Sequence, residues 1–257
     1  MVTTTDQDAF YVLTGLLLTP AQFPAVLADD YAAACEALEL EPWEAGYGLV
    51  LGQDADGARW TLVTHDAALV ACAVAAWDCG LEYELEPPER TVIASLPGWP
   101  LELTVQTPGI PDPHDPADAE GPLLTPPDPA AWGPAQRRLG ADEIGRNWHQ
   151  WLQQTGTDVR FTDPGSGPRH PGVARALAEA AAYLRTPPPA GRVRSAPAGE
   201  NARAVRADGP GWSLVARTDD IAFLLLDDEP GEVLPVGRGP ELPGLLDGLD
   251  RLARDQG

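Results

Sequence analysis

The fold is decided in residues 43–77, which read WEAGYGLVLGQDADGARWTLVTHDAALVACAVAAW. Residues 43–51 and 59–63 are rich in apolar and β-branched side chains, and the Asp/Gly-rich residues 53–57 between them predict a turn. The alanine-rich residues 66–77 are apolar almost all round, which is typical of a buried helix. A hairpin followed by a helix predicts an antiparallel sheet with a helix packed on one face.

The flanking residues predict further elements of both kinds. Two helices are expected before this stretch, over residues 5–19 and 21–38, with a Thr-Pro step between them. After it, residues 81–86 alternate leucine and tyrosine with glutamate, as a half-exposed strand does. Residues 91–96 and 101–106 flank a Pro-Gly-Trp-Pro sequence and predict a second hairpin.

Residues 108–134 differ sharply in composition from the rest, with nine prolines among acidic residues. Proline removes a backbone donor and fixes φ, so no regular helix or sheet is expected through this stretch. We predict that it links an acidic α+β lobe, residues 1–107, to a second α+β lobe, residues 135–257. Whether it floats or lies across the surface is open at this point.

The second lobe is expected to hold three helices and three strands. The helices are predicted over 141–154, 172–184 and 241–254, and the strands over 202–207, 212–216 and 221–226. The whole chain therefore predicts an α+β fold with antiparallel sheets and helices packed on one face.

One short stretch occurs twice in similar form. Residues 56–63 read DGARWTLV and residues 208–215 read DGPGWSLV, which would fit two pseudo-related lobes. Any strand after an Asp-Gly turn resembles this pattern, and the residues that follow the two copies favour a helix in one case and a strand in the other.

The charge of the chain is strongly negative and unevenly distributed. The 39 acidic side chains outnumber the 17 basic ones, which gives a formal charge of −22. Residues 1–136 hold 22 of the acids and only Arg59 and Arg90 as bases. Nucleic acid and anionic membranes would be repelled, so we expect neither as a partner. No apolar run is long enough to span a bilayer.

The basic residues are all arginine, a bias that fits a high-GC coding sequence. The absence of lysine excludes Schiff-base chemistry and a P-loop lysine. The three cysteines are an odd set, so Cys35, Cys72 and Cys79 are expected to be buried thiols in a reducing cytoplasm. The acidic first residues do not resemble an export signal.

No catalytic or metal-binding motif is evident. The four histidines are isolated, and no GxSxG elbow occurs, so no cofactor or metal is expected. The most ligand-like stretch is the glycine-rich loop of Gly165, Ser166, Gly167 and Arg169 before a predicted helix. Backbone N–H groups there could bind an anion, although prolines in the loop remove donors.

Tryptophan is frequent, with eight in the chain. Trp148 and Trp151 lie three residues apart on a predicted helix that arginines flank. The two indoles either belong to the core or form a stripe that anchors a partner.

We therefore expect a non-catalytic cytoplasmic protein whose acidic N-terminal lobe engages a basic protein, as an immunity factor or a secretion or assembly chaperone would. The expected contact residues are Asp54, Asp56, Glu82, Glu84, Glu86 and Glu102, with Trp148 and Trp151. Two alternatives remain: a small-molecule or phosphate-handling enzyme centred on Gly165–His170, and a structural subunit of a larger assembly.

Overall fold

The computed structural model describes residues 9–104, 108–117, 119, 121–128, 133–155 and 170–256. The described residues of Met1–Val26 and Ala45–Asp128 form one compact unit, unit 1, and those of Leu27–Glu44 and Pro129–Gly257 form unit 2. Residues 27–44, which we assigned to the N-terminal lobe from sequence, thus belong to unit 2. The described residues of 108–128 belong to unit 1.

The regular elements follow one another along the chain in a mixed order. They are β1 (Phe10–Leu18), α1 (Tyr31–Ala37), β2 (Tyr47–Asp54), β3 (Arg59–Thr64), α2 (Ala67–Asp78), β4 (Val92–Pro97), α3 (Pro134–Arg146), α4 (Trp148–Gln154), α5 (Pro171–Tyr183), β5 (Val193–Pro197), β6 (Arg203–Gly209), β7 (Trp212–Arg217), β8 (Ala222–Leu226), β9 (Leu234–Val236) and α6 (Leu242–Asp255).

Unit 1 is an antiparallel sheet in the order β1-β2-β3-β4 with α2 packed on one face. Val70 of α2 approaches β2 closely because Gly48 carries no side chain. A Cβ at Gly48 would lie only 2.4 Å from Val70 Cγ2. The hairpin and helix predicted from residues 43–77 are confirmed, although α2 buries only Val70 and Ala73 and leaves its outer face exposed.

The helix predicted over residues 5–19 is wrong for the part that the structure describes, whereas its residues 5–8 lie outside the described residues. Residues Phe10–Leu18 form β1, an edge strand whose register pairs Phe10 with Asp54 and Leu18 with Tyr47. A short apolar run is ambiguous from periodicity alone, and the ladder offered by β2 decides in favour of a strand. The next predicted helix is also shorter than expected: it begins only after Asp30, whose carboxylate accepts a hydrogen bond from Ala33 N at 2.8 Å.

Two further predictions in unit 1 are wrong. Residues 81–86 are not in a strand, and neither are residues 101–104 of the strand predicted over 101–106; its residues 105 and 106 lie outside the described residues. Trp99 instead folds into the unit, where its indole donates to the Gly52 carbonyl at 2.9 Å and is 1% exposed.

Unit 2 is a five-stranded antiparallel meander in the order β5-β6-β7-β8-β9. Side chains alternate along β7: Trp212 and Leu214 join the core with α5 and α6, while Val215 faces the opposite side with α3 and α4. Helices therefore cover both faces of this sheet. The three predicted strands and the helices over 172–184 and 241–254 are confirmed within a few residues.

Sequence reasoning missed β5 and β9 because prolines and glycines surround them. The helix predicted over 141–154 is divided at Asn147 into α3 and α4. Taken together, the α+β class with antiparallel sheets is confirmed.

The two similar stretches occupy comparable positions, one at the β2–β3 turn and β3, the other at the β6–β7 turn and β7. The following elements differ as predicted, α2 in one case and β8 in the other. Relatedness of the two units by duplication stays a prediction.

Among the described residues, no helix has both the length and the apolar character needed to cross a membrane. Cys35 is fully buried in α1, and its burial raises the pKa of its thiol to about 11. Cys72 and Cys79, in contrast, are exposed. The expectation of three buried thiols is therefore wrong for these two.

Candidate functional site: two acidic surfaces and a buried ionic cluster

The first acidic surface is the segment of residues 81–86 in unit 1, which we call the acidic strip. Glu82, Glu84 and Glu86 are exposed, and none of them forms an ion pair with a described residue. Leu85 points the other way and is 3% exposed, in the core with Val70. Leu85 is thus the one buried residue of the segment, and the residues on either side of it, including the three glutamates, are exposed.

Exposed apolar side chains accompany these carboxylates. Leu81 is 63% exposed and Tyr83 is 38% exposed. The backbone is held in place at Tyr83, whose carbonyl accepts a hydrogen bond of 2.9 Å from the Trp77 indole. Acidic groups mixed with exposed leucine and tyrosine on a fixed backbone suit recognition of a partner that is both basic and apolar.

The predicted contact residues Asp54 and Asp56 lie in the β2–β3 turn and differ in availability. Asp54 Oδ1 accepts hydrogen bonds from the backbone N–H of Asp56 at 3.0 Å and of Ala58 at 2.9 Å. Its Oδ2 accepts one from the Trp60 indole at 3.0 Å. The Asp54 carboxylate is therefore engaged in shaping the turn, whereas the Asp56 side chain is exposed.

Glu102 is exposed on the segment that follows β4. The pairing of Trp60 with Pro97 brings the start of this segment to the same end of the sheet as the β2–β3 turn. The predicted acidic residues of unit 1 are thus distributed over a turn, the acidic strip and this segment.

The predicted tryptophan pair lies in the core of unit 2. Trp148 is 6% exposed and meets the Phe223 ring edge-on, with ring centroids 5.2 Å apart. Trp151 is half-buried against the same ring at 6.4 Å. These contacts assign Trp148 to the core, one of the two interpretations that the sequence left open, and not to a partner surface.

The glycine-rich loop with Gly165, Ser166, Gly167 and Arg169 lies outside the described residues. The helix that follows it, α5, is capped by His170, whose Nδ1 accepts from Val173 N at 3.4 Å. His170 Nε2 lies 2.7 Å from Glu229 Oε1.

Sequence reasoning missed a second acidic surface, a groove of about 430 Å³ in unit 2 that we call the acidic groove. It is lined by Ala32, Glu36, Glu39, Leu40, Glu41, Pro42, Pro189 and Arg192. Its three glutamates are exposed, and Arg192 pairs with Asp30, with Nε 3.3 Å from Oδ2. The signal in the sequence was the density of glutamate between residues 36 and 44.

A buried ionic cluster occupies the face of the unit 2 sheet that also carries α3. It consists of Asp29, Arg137, Arg138, Asp142, Arg194, Arg206, Asp208, Ser213 and Asp227. The strand register assembles it, because Arg194 pairs with Arg206 and Asp208 pairs with Ser213. Nothing in the sequence indicated that these distant residues meet.

Asp208 is the centre of this cluster and is fully buried. Its carboxylate accepts from Arg206 Nε at 2.7 Å, Arg194 Nη2 at 2.5 Å and Ser213 Oγ at 2.6 Å. Burial alone would raise the pKa of Asp208, but the two guanidinium groups and the Ser213 hydroxyl hold it below its usual range.

Asp29 shows the opposite shift. Burial and the charge of Asp208 raise the pKa of Asp29 to about 7, although Arg137 pairs with it. Ser213 Oγ lies 3.3 Å from Asp29 Oδ2 and 2.6 Å from Asp208 Oδ1, but the hydroxyl has only one proton to donate. Protonation of Asp29 relieves both the repulsion and this shortage of donors.

The arginines of the cluster are also perturbed. Burial and the neighbouring Arg194 lower the pKa of Arg138 to about 10. Arg137 lies between two carboxylates, since it also places Nη1 2.7 Å from Asp227 Oδ1. Asp29, Asp208 and Ser213 are at most 1% exposed, whereas Asp142 and Asp227 at the edge of the cluster are partly exposed.

No group of three or more potential metal ligands occurs within the described ranges. Comparison of the chain with protein families, with curated proteins and with solved structures finds no match.

Proposed function

We propose that this chain is a non-catalytic protein-binding protein that engages a basic partner through the acidic strip of unit 1. Such a role would suit a cytoplasmic immunity factor or a secretion or assembly chaperone. One observation supports this proposal most directly: the acidic strip exposes three glutamates together with Leu81 and Tyr83. None of Glu82, Glu84 and Glu86 forms an ion pair with a cationic group among the described residues.

The distribution of arginine supports this proposal. Eight arginines between residues 137 and 226 form ion pairs with aspartates of unit 2. Guanidinium groups thus form ion pairs with carboxylates in unit 2, whereas the glutamates of the acidic strip form none with a described residue. An uncompensated anionic surface raises the rate of encounter with a cationic protein and makes it dependent on salt.

The test is the affinity of a cationic protein captured from lysate at low salt, purified and then titrated against three forms of the chain. The test variant is E82Q/E84Q/E86Q, and the control is E200Q/E232Q/E241Q, which removes the same charge from exposed sites of unit 2. We expect the test variant to weaken binding about tenfold near 0.1 M salt, since exposed charge pairs contribute up to about 1 kcal/mol each.

The control variant should bind within about twofold to threefold of the wild type, and wild-type affinity should fall as salt rises. Equal losses in the two variants, or binding that salt leaves unchanged, would contradict a role for the acidic strip.

A further inference from the structure

The proline-rich residues 108–117, which we call the strap, lie against the β2–β3 turn of unit 1. Arg59 N donates to the His114 carbonyl at 2.9 Å, and His114 N donates to the Gly57 carbonyl at 3.1 Å. These two bonds form a parallel bridge between Ala58 and His114. The strap is therefore attached through backbone contacts centred on one histidine.

The turn is shaped to receive the strap. Gly57 has a φ of +89°, and a Cβ there would lie 2.8 Å from the Pro111 carbonyl oxygen. The same oxygen accepts from Gln53 Nε2 at 3.3 Å. Arg59 Nε donates to Asp115 Oδ1 at 3.0 Å, which adds an ion pair to the contact.

Both nitrogens of the His114 imidazole face backbone carbonyl oxygens, and only the doubly protonated ring can donate a hydrogen bond to each. Its Nε2 lies 3.0 Å from the Asp56 carbonyl oxygen, and its Nδ1 lies 3.0 Å from the Asp115 carbonyl oxygen. Carbonyl oxygens only accept hydrogen bonds, so both ring nitrogens must carry a proton. A neutral imidazole has one N–H and would direct a lone pair at the other carbonyl.

The surroundings of His114 favour the imidazolium. The two carbonyl contacts raise the pKa of His114, with a smaller contribution from the charge of Asp54, while slight burial and Arg59 act against it. The ring is exposed to solvent, so it can exchange protons without opening the fold.

We propose that His114 is a proton-controlled latch, which as an imidazolium closes the strap over the β2–β3 turn and on losing its proton weakens that closure. The inference is independent of the proposed function. An open strap would release Arg59, Gln53 and the backbone of the turn from the contacts described above.

Thermodynamic linkage fixes the size of the effect. If closure of the strap raises the pKa of His114, then deprotonation of His114 must favour the open strap. The free energy of this preference equals the one that corresponds to the pKa difference between the closed and open states. The equilibrium constant for opening therefore rises about tenfold for each unit by which closure raises that pKa.

The experiment is NMR on the whole chain between pH 5 and 8. The His114 ring protons give its pKa, and hydrogen exchange of the Arg59 and His114 amides, corrected for intrinsic rates, gives the protection that strap closure provides. We expect a His114 pKa above 6.5 and protection that falls across that pKa.

Two variants make the result decisive. In H114Q, a single amide NH₂ group replaces the two ring N–H groups, and the new side chain does not titrate. Protection of the Arg59 amide from hydrogen exchange should therefore be lower than in the wild type at pH 5 and independent of pH. The control H149Q makes the same change at an exposed histidine of α4 and should behave as the wild type. Protection that does not change with pH in the wild type, or that keeps its pH dependence in H114Q, would overturn the latch.

Discussion

Asp29 is the residue at which burial and charge conflict most clearly. Its raised pKa of about 7 means that the folded chain binds a proton between about pH 4 and 7 that the unfolded chain does not. The contribution of Asp29 to stability therefore falls as pH rises through this range and levels off above it. The ion pair with Arg137 offsets only part of the cost of burying the charge.

We predict that Asp29→Asn flattens this dependence, because the amide is neutral at every pH and retains hydrogen-bonding capacity. Each pH unit well below 7 costs the wild type about 1.4 kcal/mol at this site, and the cost per unit falls off near pH 7, so the wild type should lose about 2 kcal/mol more than Asp29→Asn between pH 5 and 7. Urea unfolding followed by tryptophan fluorescence measures the difference.

Asp228→Asn, a change at an exposed aspartate, serves as the control and should keep the wild-type slope. Parallel stability curves for the wild type and Asp29→Asn would show that Asp29 is already ionised in the fold at pH 5.

At the scale of single residues, the sequence does not show which acidic side chains are free to contact a partner and which are already engaged in hydrogen bonds. The pattern could indicate that Glu82, Glu84 and Glu86 alternate with an apolar residue, and Leu85 does anchor the strip in the core. It could not show that Asp54 is consumed by three hydrogen bonds within its own turn. Such bonds depend on turn geometry, which the identity of the residue does not specify.

At the scale of elements, long and strongly periodic segments were predictable and short or interrupted ones were not. The helix α6 repeats leucine at helical spacing and was found within a residue or two. By contrast, β5 and β9 lie among prolines and glycines, and β1 was taken for a helix. Their strand conformation comes from tertiary pairing with β6, β8 and β2, which local propensity does not report.

The packing of α2 on its sheet makes a prediction at the same scale. In Gly48→Ala, the new methyl group would overlap Val70, a stiff β-branched side chain, so α2 must shift away from β2. We expect a loss of about 1 to 3 kcal/mol in the free energy of unfolding, measured by urea denaturation.

Gly244→Ala is the matched control, since a Cβ there meets nothing within 4 Å on α6. Alanine favours helix over glycine by up to about 1 kcal/mol, so this variant should be at least as stable as the wild type. If Gly48→Ala is equally well tolerated, the close approach of Val70 is not a constraint on the fold.

At the scale of the whole chain, composition gives the excess of acidic over basic residues but does not show which carboxylates pair with which arginines. The formal charge of −22 was fixed by counting. That residues 27–44 supply Asp29 and Asp30 to the arginines of unit 2 could not be read from their position in the sequence. Only the paths taken by the strands and helices bring these partners together.

The excess of acidic over basic side chains predicts that sodium chloride stabilises the folded chain. Raising the salt from about 0.01 to 0.15 M shortens the screening length from about 30 to 8 Å and weakens repulsion among exposed carboxylates. The buried ion pairs of unit 2 are screened much less. Calorimetry should show a rise in Tm of about 2 to 4 °C, equivalent to about 1 kcal/mol.

The variant E82Q/E84Q/E86Q provides the comparison, because it carries less repulsion and should gain less from salt. A Tm that falls with added sodium chloride would mean that attractive surface pairs outweigh the repulsion.

The arrangement of thiols on α2 has a practical consequence. Cys72 and Cys79 are exposed and seven residues apart, about 10 Å along the helix axis, whereas Cys35 is fully buried with a weakly acidic thiol. Maleimide dyes or nitroxide probes will therefore couple to Cys72 in α2 and to Cys79 directly after it, and will spare Cys35 in α1. Fluorescence or paramagnetic signals can thus be confined to unit 1 of the native chain without introducing a new attachment point.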